Sequence, residues 1–222
     1  MNRVNRVKRL KEQLDEFNAA NKNIKFTLGT LVVTGWCVFL IIIATFTRID
    51  FSHYMVGLHS SAAGSFLKLH SYSYIPQVPV IFFIAALIGN RYGILSVLIY
   101  ITLGLTMFPL FALGGGLSYV LQYNFGYIVA YIPAIYIVSF ILKDRLSYGN
   151  IAKATIFGVL TIHIIGVFYL ILMAIAHQDS FVNVTNWISM QSGMKIIYDF
   201  IFGFLALLLS RPVKYILWLS MS

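Results

Sequence analysis

The sequence has little charge and almost no cysteine. Only 10% of its 222 residues are charged and 59% are hydrophobic, whereas a soluble domain carries about 25% charged residues. The single cysteine, Cys37, excludes a disulfide framework and a cysteine metal cluster. The composition therefore indicates an integral membrane protein.

The chain also lacks the motifs of the common catalytic sites. It has no G-x-x-x-x-G-K-[ST] phosphate loop, no H-E-x-x-H, no G-x-S-x-G and no dinucleotide fingerprint. We therefore predict that it is not an enzyme, binds no cofactor and cannot hydrolyse ATP itself. His53, His59 and His70 match no usual spacing of metal ligands, so we predict no metal site.

Six apolar runs approach the length of about 20 residues that a membrane helix needs. They cover residues 27–47, 75–90, 92–112, 124–142, 152–176 and 195–218. These runs predict an all-α integral membrane protein with six transmembrane helices in a domain of residues 26–219. Residues 48–74 form its longest external connection, which we interpret as a lid.

The distribution of basic residues predicts the orientation. With six spans, 13 of the 16 Lys and Arg residues fall on the side of the N-terminus: Arg3, Arg6, Lys8, Arg9, Lys11, Lys22, Lys25, Arg91, Lys143, Arg145, Lys153, Arg211 and Lys214. Arg48, Lys68 and Lys195 fall on the other side. The positive-inside rule then places both termini in the cytoplasm, and it explains the net charge of +9 without nucleic acid.

Residues 1–25 precede the first apolar run and do not have the pattern of a signal peptide, so we expect them to be retained. Within them, residues 4–18 have apolar side chains at helical intervals among basic ones. This pattern predicts a basic amphipathic helix on the inner leaflet of the bilayer. It would act as an orientation anchor or as a dock for a cytoplasmic partner.

Three breaks in the apolar runs mark a candidate binding site. Backbone that leaves the helical pattern near lipid must be buried in protein or line a cavity. Pro76 and Pro79 flank Gln77, which offers both a donor and an acceptor. The other two breaks supply Gly114, Gly115, Gly116, Tyr119, Gln122, Asn124 and Tyr127. The predicted topology places all of them on the external side.

Two ionisable groups fall inside apolar runs and are candidates for function. Asp199 lies four residues after Lys195, so both side chains share one face of the sixth helix. His163 lies near the middle of the fifth run. A structural alternative remains for each: an internal Lys–Asp or Tyr–Asp pair for Asp199, and a helix–helix hydrogen bond for His163.

The residues of these breaks resemble the BioY family, the biotin-specific S components of energy-coupling-factor (ECF) vitamin transporters. The matching landmarks are Pro76-Gln-Val-Pro79, Gly89-Asn-Arg-Tyr-Gly93, Leu98-Ile-Tyr-Ile-Thr-Leu-Gly104, Phe108-Pro-Leu-Phe111, Gly114-Gly-Gly116, Phe125-Gly-Tyr127 and His163-Ile-Ile-Gly166-Val-Phe-Tyr169. The resemblance covers roughly residues 74–215. It departs at the sixth span, where the family has Gly-Asp-x-x-Lys and this chain has Lys195 and Asp199 after Gly193.

The resemblance implies a membrane subunit that binds biotin. Phe111, Tyr119 and Tyr127 would pack on the ring and the acyl chain, while Gln77, Asn124 or Asp199 would bond to the ureido group. Lys195 and the amides of residues 114–116 would receive the carboxylate, and His163 would belong to the same site. The implied partners are a membrane coupling protein and two ATPase subunits, in the cell membrane of a prokaryote.

Three alternatives remain open at this point. An S component for another vitamin would keep the topology and change the pocket. A solitary carrier would use Asp199 and His163 as a proton relay. A membrane-embedded enzyme would need the same two residues as an acid–base pair, although no nucleophile stands beside them in the sequence.

Overall fold

The structure is a computed structural model that describes residues 28–56, 67–143 and 146–221. The helices in chain order are α1 Leu28–Phe46, α2 Gln77–Thr106, α3 Phe125–Val129, α4 Tyr131–Leu142, α5 Tyr148–His177 and α6 Phe181–Met221. A 3-10 helix, Leu117–Leu121, lies between α2 and α3. The predicted amphipathic helix of residues 4–18 and His59 lie outside the described residues.

Several helix ends differ from the sequence predictions. The run 92–112 is too long at its C-terminal end, because α2 stops at Thr106 before the Phe108-Pro109 pair. The last helix begins at Phe181 rather than at 195, since its polar first turns continue into the apolar run through a kink at Gly193. The run 124–142 is divided at Ala130 into α3 and α4. The first run agrees with α1 to within one residue at each end.

Helix α2 folds back on itself at Gly89. This residue has φ 76° and ψ −174°, a conformation open to glycine and strained for other residues. Tyr100 Oη lies 3.2 Å from Gln77 Nε2, although a straight helix would separate these residues by about 35 Å. The arms 77–88 and 90–106 therefore lie side by side in opposite directions.

A β-hairpin connects α1 to α2. Strands β1 Ile49–Val56 and β2 Leu67–Tyr74 pair antiparallel, with Phe51 opposite Tyr72 and Ile49 opposite Tyr74. The sequence analysis predicts a lid over residues 48–74 but no strands there. The all-α expectation thus describes the helices, and this two-stranded sheet is an addition to it.

By length and composition, four helical stretches among the described residues could cross a membrane: Gln77–Thr106, Phe125–Leu142, Tyr148–His177 and Phe181–Ile216. The first of them reverses at Gly89, so each of its two arms is shorter than the whole stretch. A shorter apolar helix covers Leu31–Phe46. Large apolar side chains such as Trp36, Ile164 and Phe140 are more than 60% exposed on these helices. Exposure on this scale is expected of surfaces that face lipid rather than water.

Helix α2 forms the centre of the molecule, since it packs on α1, α4 and α6, while α5 packs on α3, α4 and α6. Close approach at Gly158 and Gly203 lets α5 and α6 contact the ring of Phe82 in the first arm of α2. Polar side chains lie inside this apolar core where the first arm of α2, α5 and α6 meet β2.

Candidate functional site

Asp199 lies at the centre of a buried polar network. Its side chain is fully buried and accepts hydrogen bonds from three residues of three different elements. Tyr74 Oη donates to Oδ1 at 2.8 Å, and Lys195 Nζ donates to Oδ2 at 2.7 Å. His163 Nε2 lies 3.1 Å from Oδ2. These donors compensate a buried carboxylate that would otherwise be very unfavourable in an apolar core.

The network continues from His163 to Tyr127 through a serine. His163 Nδ1 lies 2.9 Å from Ser192 Oγ, and Tyr127 Oη lies 2.7 Å from the same oxygen. All three side chains are buried. The contact is possible because Gly166, one helical turn after His163, lies directly against the ring of Tyr127. A Cβ at Gly166 would be 2.4 Å from that ring, so the site needs glycine there.

Gln77 forms a second polar cluster beside the first. Its Nε2 donates to Thr45 Oγ1 at 2.6 Å and to Tyr100 Oη at 3.2 Å. Tyr131 Oη donates to Gln77 Oε1 at 2.8 Å. One amide at the start of α2 thereby joins α1, the second arm of α2 and α4. The Pro76 and Pro79 positions on either side of Gln77 place it at this helix end.

Aromatic rings at the 3-10 helix and just before it form a wall. The Phe111 and Tyr119 rings lie 4.5 Å apart, and Phe111 also meets the edge of Tyr100 at 5.5 Å. Asn124 Nδ2 is 3.5 Å from Tyr119 Oη. Among the buried side-chain polar atoms of the described residues, Asn124 Oδ1 is the one without a hydrogen-bond partner. A buried acceptor without a donor is unfavourable, so this atom is open to a ligand donor.

The glycine turn, residues 114–116, bonds mainly to backbone atoms of the chain itself. Gly114 N–H bonds to the Phe111 carbonyl and Gly116 N–H to the Gly104 carbonyl. Gly114 and Gly116 both have positive φ values, 122° and 89°. Gly115 packs so closely on the Gly104 carbonyl that a Cβ would lie 2.7 Å from it. The turn therefore shapes the aromatic wall, and two of its three amides are already bonded.

The hairpin covers this network from one side. Phe51 and Tyr72 both stack on the ring of Tyr198 in α6, with centroid distances of 4.9 and 5.2 Å. Tyr74 lies 5.2 Å from Phe202, one turn further along α6. Burial beside the Asp199 carboxylate raises the pKa of Tyr72 to about 12 and also raises that of Tyr74. Tyr74 thus keeps its proton at neutral pH and donates it to Asp199 Oδ1.

The structure brings the predicted residues together in three neighbouring groups. Lys195, Asp199, His163 and Tyr127 form one group, and Gln77 lies in the adjacent cluster, while Phe111, Tyr119, Asn124 and residues 114–116 form the wall. The sequence analysis missed Ser192, Tyr74, Thr45, Tyr100 and Tyr131 as members of the network. Serine, threonine and tyrosine in apolar runs are common, so only the Tyr74-Ile-Pro break gave a signal.

Two other features do not belong to this site. No group of three or more His, Cys, Asp or Glu residues that could hold a metal occurs in the described part of the chain. An apolar groove of about 370 Å³ lies between α5 and α6, lined by Ala152, Thr155, Ile156, Phe200, Ile201, Phe204 and Leu205. None of the polar network residues lines this groove, so we do not assign the ligand to it.

Comparison with known proteins gives three matches. The model of the BioY family matches residues 19–217. A curated protein of Lysinibacillus sphaericus, named "Probable biotin transporter BioY", is 31% identical over 149 residues, which is 65% of this chain and 69% of that protein. A crystal structure of the S-component for biotin from an ECF-type ABC transporter matches with a TM-score of 0.61 and 21% identity. This structural match covers 85% of this chain and 92% of the chain in the crystal structure, and it shows a shared fold.

Proposed function

Because the chain belongs to the BioY family, we propose that it is a membrane subunit that binds biotin for uptake. The observation that carries this proposal is the buried Lys195–Asp199 pair, with its 2.7 Å contact, beneath the β1–β2 hairpin. An adjacent carboxylate and ammonium suit a ureido group, which has N–H donors beside a carbonyl acceptor.

The ureido group of biotin offers two N–H donors and one carbonyl acceptor. Asp199 Oδ1 accepts one bond, from Tyr74, so it has capacity for another. Asn124 Oδ1 has none within the described chain. We assign the ureido donors to these two oxygens, and Gln77 beside them is a further polar contact.

The remainder of the ligand would meet the apolar wall and the glycine turn. Phe111, Tyr119 and Tyr127 supply ring faces for the thiophane ring and the acyl chain. Lys195, whose Nζ lies 2.7 Å from Asp199 Oδ2, would donate to the ureido carbonyl. The Gly115 amide would receive the carboxylate, because the Gly114 and Gly116 amides are bonded within the chain. His163 completes the proposed site.

The hairpin would have to move for biotin to enter. Tyr74 caps Asp199 while Phe51 and Tyr72 hold the hairpin against α6 by stacking. Stacked aromatic pairs contribute about 0.5–1.5 kcal/mol each beyond their buried area. A cover held by a few such contacts can open without disturbing the helices behind it.

The topology that fits this role has six crossings and both termini in the cytoplasm of a prokaryotic cell. The two arms of α2 would be separate crossings, since the chain reverses between them at Gly89. The first arm, residues 77–88, is about 18 Å long, shorter than the roughly 30 Å core of a bilayer. Tyr74, which is fully buried, precedes it and would lie at membrane depth within protein.

Uptake against a gradient requires an energy source that this chain's motifs do not supply. We propose that a membrane coupling protein and two ATPase subunits provide it. A solitary proton-coupled carrier is the second candidate, favoured by the 3.1 Å contact between His163 and Asp199. Cellular uptake distinguishes them: loss of the ATPases abolishes it in the first case, whereas collapse of the proton gradient abolishes it in the second.

Binding of labelled biotin to the purified protein tests the proposal. We expect saturable binding that Asp199→Asn weakens about tenfold to 150-fold, since a hydrogen bond to a charged group contributes about 1.5–3 kcal/mol. Lys195→Ala should also weaken it. Asp179→Asn and Lys153→Ala change the same residue types outside the network and should leave the affinity unchanged. Absence of saturable binding at micromolar biotin would exclude the assignment.

A further inference from the structure

The apolar groove between α5 and α6 opens toward the lipid. Its side chains Ile156, Ile201 and Leu205 are exposed on the outer surfaces of these two helices. The one polar residue in its lining is Thr155, whose hydroxyl already donates to the Ile151 carbonyl of its own helix. The groove therefore offers no polar partner to a ligand, and its volume of about 370 Å³ suits a hydrocarbon chain.

One end of the groove leads to a cation. Tyr148 lies four residues before Ala152, and Arg211 lies seven residues after Phe204, so each shares a helix face with a residue that lines the groove. The guanidinium carbon of Arg211 lies 4.5 Å from the centre of the Tyr148 ring. This contact is about 6 Å beyond Ala152 along α5 and about 10 Å beyond Phe204 along α6.

The Arg211 side chain keeps donors for an anion. A guanidinium has five N–H donors, and contact with one aromatic ring does not supply an acceptor for all of them. Among the described residues, both ion pairs are those of Asp199. Arg211 therefore has no carboxylate beside it in the part of the chain that the structure describes.

The surroundings of Arg211 are basic. Lys214 follows it by three residues in α6, and Lys153 follows Tyr148 by five residues in α5. Asp199 is the one acidic residue in the sequences of α5 and α6, and it lies 12 residues before Arg211. The loop of residues 143–147 adds two basic residues and one acidic residue by sequence. An anionic group therefore suits this end of the groove.

We propose that the groove is a binding site for an anionic phospholipid, with one acyl chain between α5 and α6 and the phosphodiester beside Arg211. The apolar lining takes the chain, and the guanidinium binds the phosphate through charge-assisted hydrogen bonds. Basic pockets between membrane helices on the cytoplasmic side bind anionic head groups, and the proposed topology assigns Arg211 to that side. The site is separate from the Asp199 network, so it does not depend on biotin binding.

A lipid titration of the purified full chain in detergent, followed by native mass spectrometry, tests the head group. Phosphatidylglycerol is compared with phosphatidylcholine of the same acyl chains, and we expect one saturable site with about a fivefold preference for the first. Arg211→Gln should abolish this preference, whereas Arg211→Lys, which keeps the charge, should keep most of it. Arg48→Gln is the matched control, because it removes an exposed arginine that precedes β1, and it should change neither affinity.

A second pair of variants tests the acyl chain. Ala152→Leu puts a larger side chain into the groove and should weaken phosphatidylglycerol binding by about fourfold or more, the factor for one displaced methylene group. Ala176→Leu, at an exposed position of the same helix outside the groove, should have no effect. Arg211 and Ala152 lie on different helices, so the variants of one decide the matter if those of the other fail to fold.

Four results would overturn the proposal. The first is equal affinity of the natural chain for the two lipids, and the second is an unchanged preference in Arg211→Gln. The third is displacement of phosphatidylglycerol by millimolar inorganic phosphate, which would indicate an anion site that does not use the groove. The fourth is a dimer, independent of lipid, that Ala152→Leu dissociates, since it would assign the groove to a second copy of the chain.

Discussion

Gly166→Ala is the substitution for which the structure gives the sharpest expectation. The new Cβ would lie 2.4 Å from Cδ1 and 2.5 Å from Cε1 of Tyr127, where contacts below 3.0 Å require a shift. The ring is buried and its hydroxyl is bonded to Ser192, so it cannot turn away without breaking that bond. Overpacking of this kind costs about 1–3 kcal/mol.

Gly149, in the same helix as Gly166, provides the control for this substitution. A Cβ at Gly149 would meet nothing within 4 Å, so Gly149→Ala should be neutral or should stabilise the chain by up to about 1 kcal/mol. Thermal unfolding in detergent should therefore show a lower Tm for Gly166→Ala and an equal or higher Tm for Gly149→Ala. Biotin titration should show weaker binding for the first variant alone.

A double-mutant cycle separates the clash from other effects of alanine. In a Tyr127→Leu background the ring is absent, so Gly166→Ala should cost at least 1 kcal/mol less than in the natural chain, roughly the low end of the overpacking range. Equal costs in the two backgrounds would refute the packing of α5 on Tyr127. Equal melting of the Gly166 and Gly149 variants would refute it as well.

Three further predictions concern other parts of the structure. Gln77→Leu should destabilise the chain by about 2–4 kcal/mol, because it removes three hydrogen bonds and leaves the buried Tyr131 hydroxyl without its acceptor; chemical denaturation of the purified protein measures this. Ile164→Lys should reduce membrane insertion by about 3 kcal/mol in a translocon assay, whereas Phe181→Lys at the end of a helix should have little effect. Tyr198→Ala should free the hairpin and raise the dissociation rate of biotin, measured by chase with unlabelled ligand, and an unchanged rate would exclude the hairpin as a cover.

Much of the helical fold could be predicted from the sequence, since apolar runs report which segments lie in lipid. The exceptions have physical causes. Residues 181–194 lie outside the predicted sixth span, yet they form the first turns of α6 and join the apolar run at the kinked Gly193. The hairpin was not predicted, since its pairing joins residues up to 25 positions apart and depends on rings of α6.

The site was predictable in part for a related reason. Lys195 and Asp199 share a face at helical spacing, and His163 stands out as an ionisable group in an apolar run. The partners that complete the network are different: Tyr74 is 125 positions away from Asp199, and Ser192 is 65 positions away from Tyr127. Ordinary hydroxyl residues at such separations leave no local pattern. At residues 114–116 the sequence was misleading in the other direction. The three glycines suggested free amides for a ligand, but the Gly114 and Gly116 amides bond to backbone carbonyls of the chain.

A structure of the purified protein with biotin bound tests the central claim most directly. The account predicts a ureido nitrogen within hydrogen-bond distance, about 2.7–3.2 Å, of Asp199 Oδ1 or Asn124 Oδ1, with Lys195 Nζ beside the ureido carbonyl and the carboxylate at residues 114–116. The hairpin should be displaced or closed over the ligand. Biotin in the apolar groove between α5 and α6, with the Asp199 network unchanged, would contradict it.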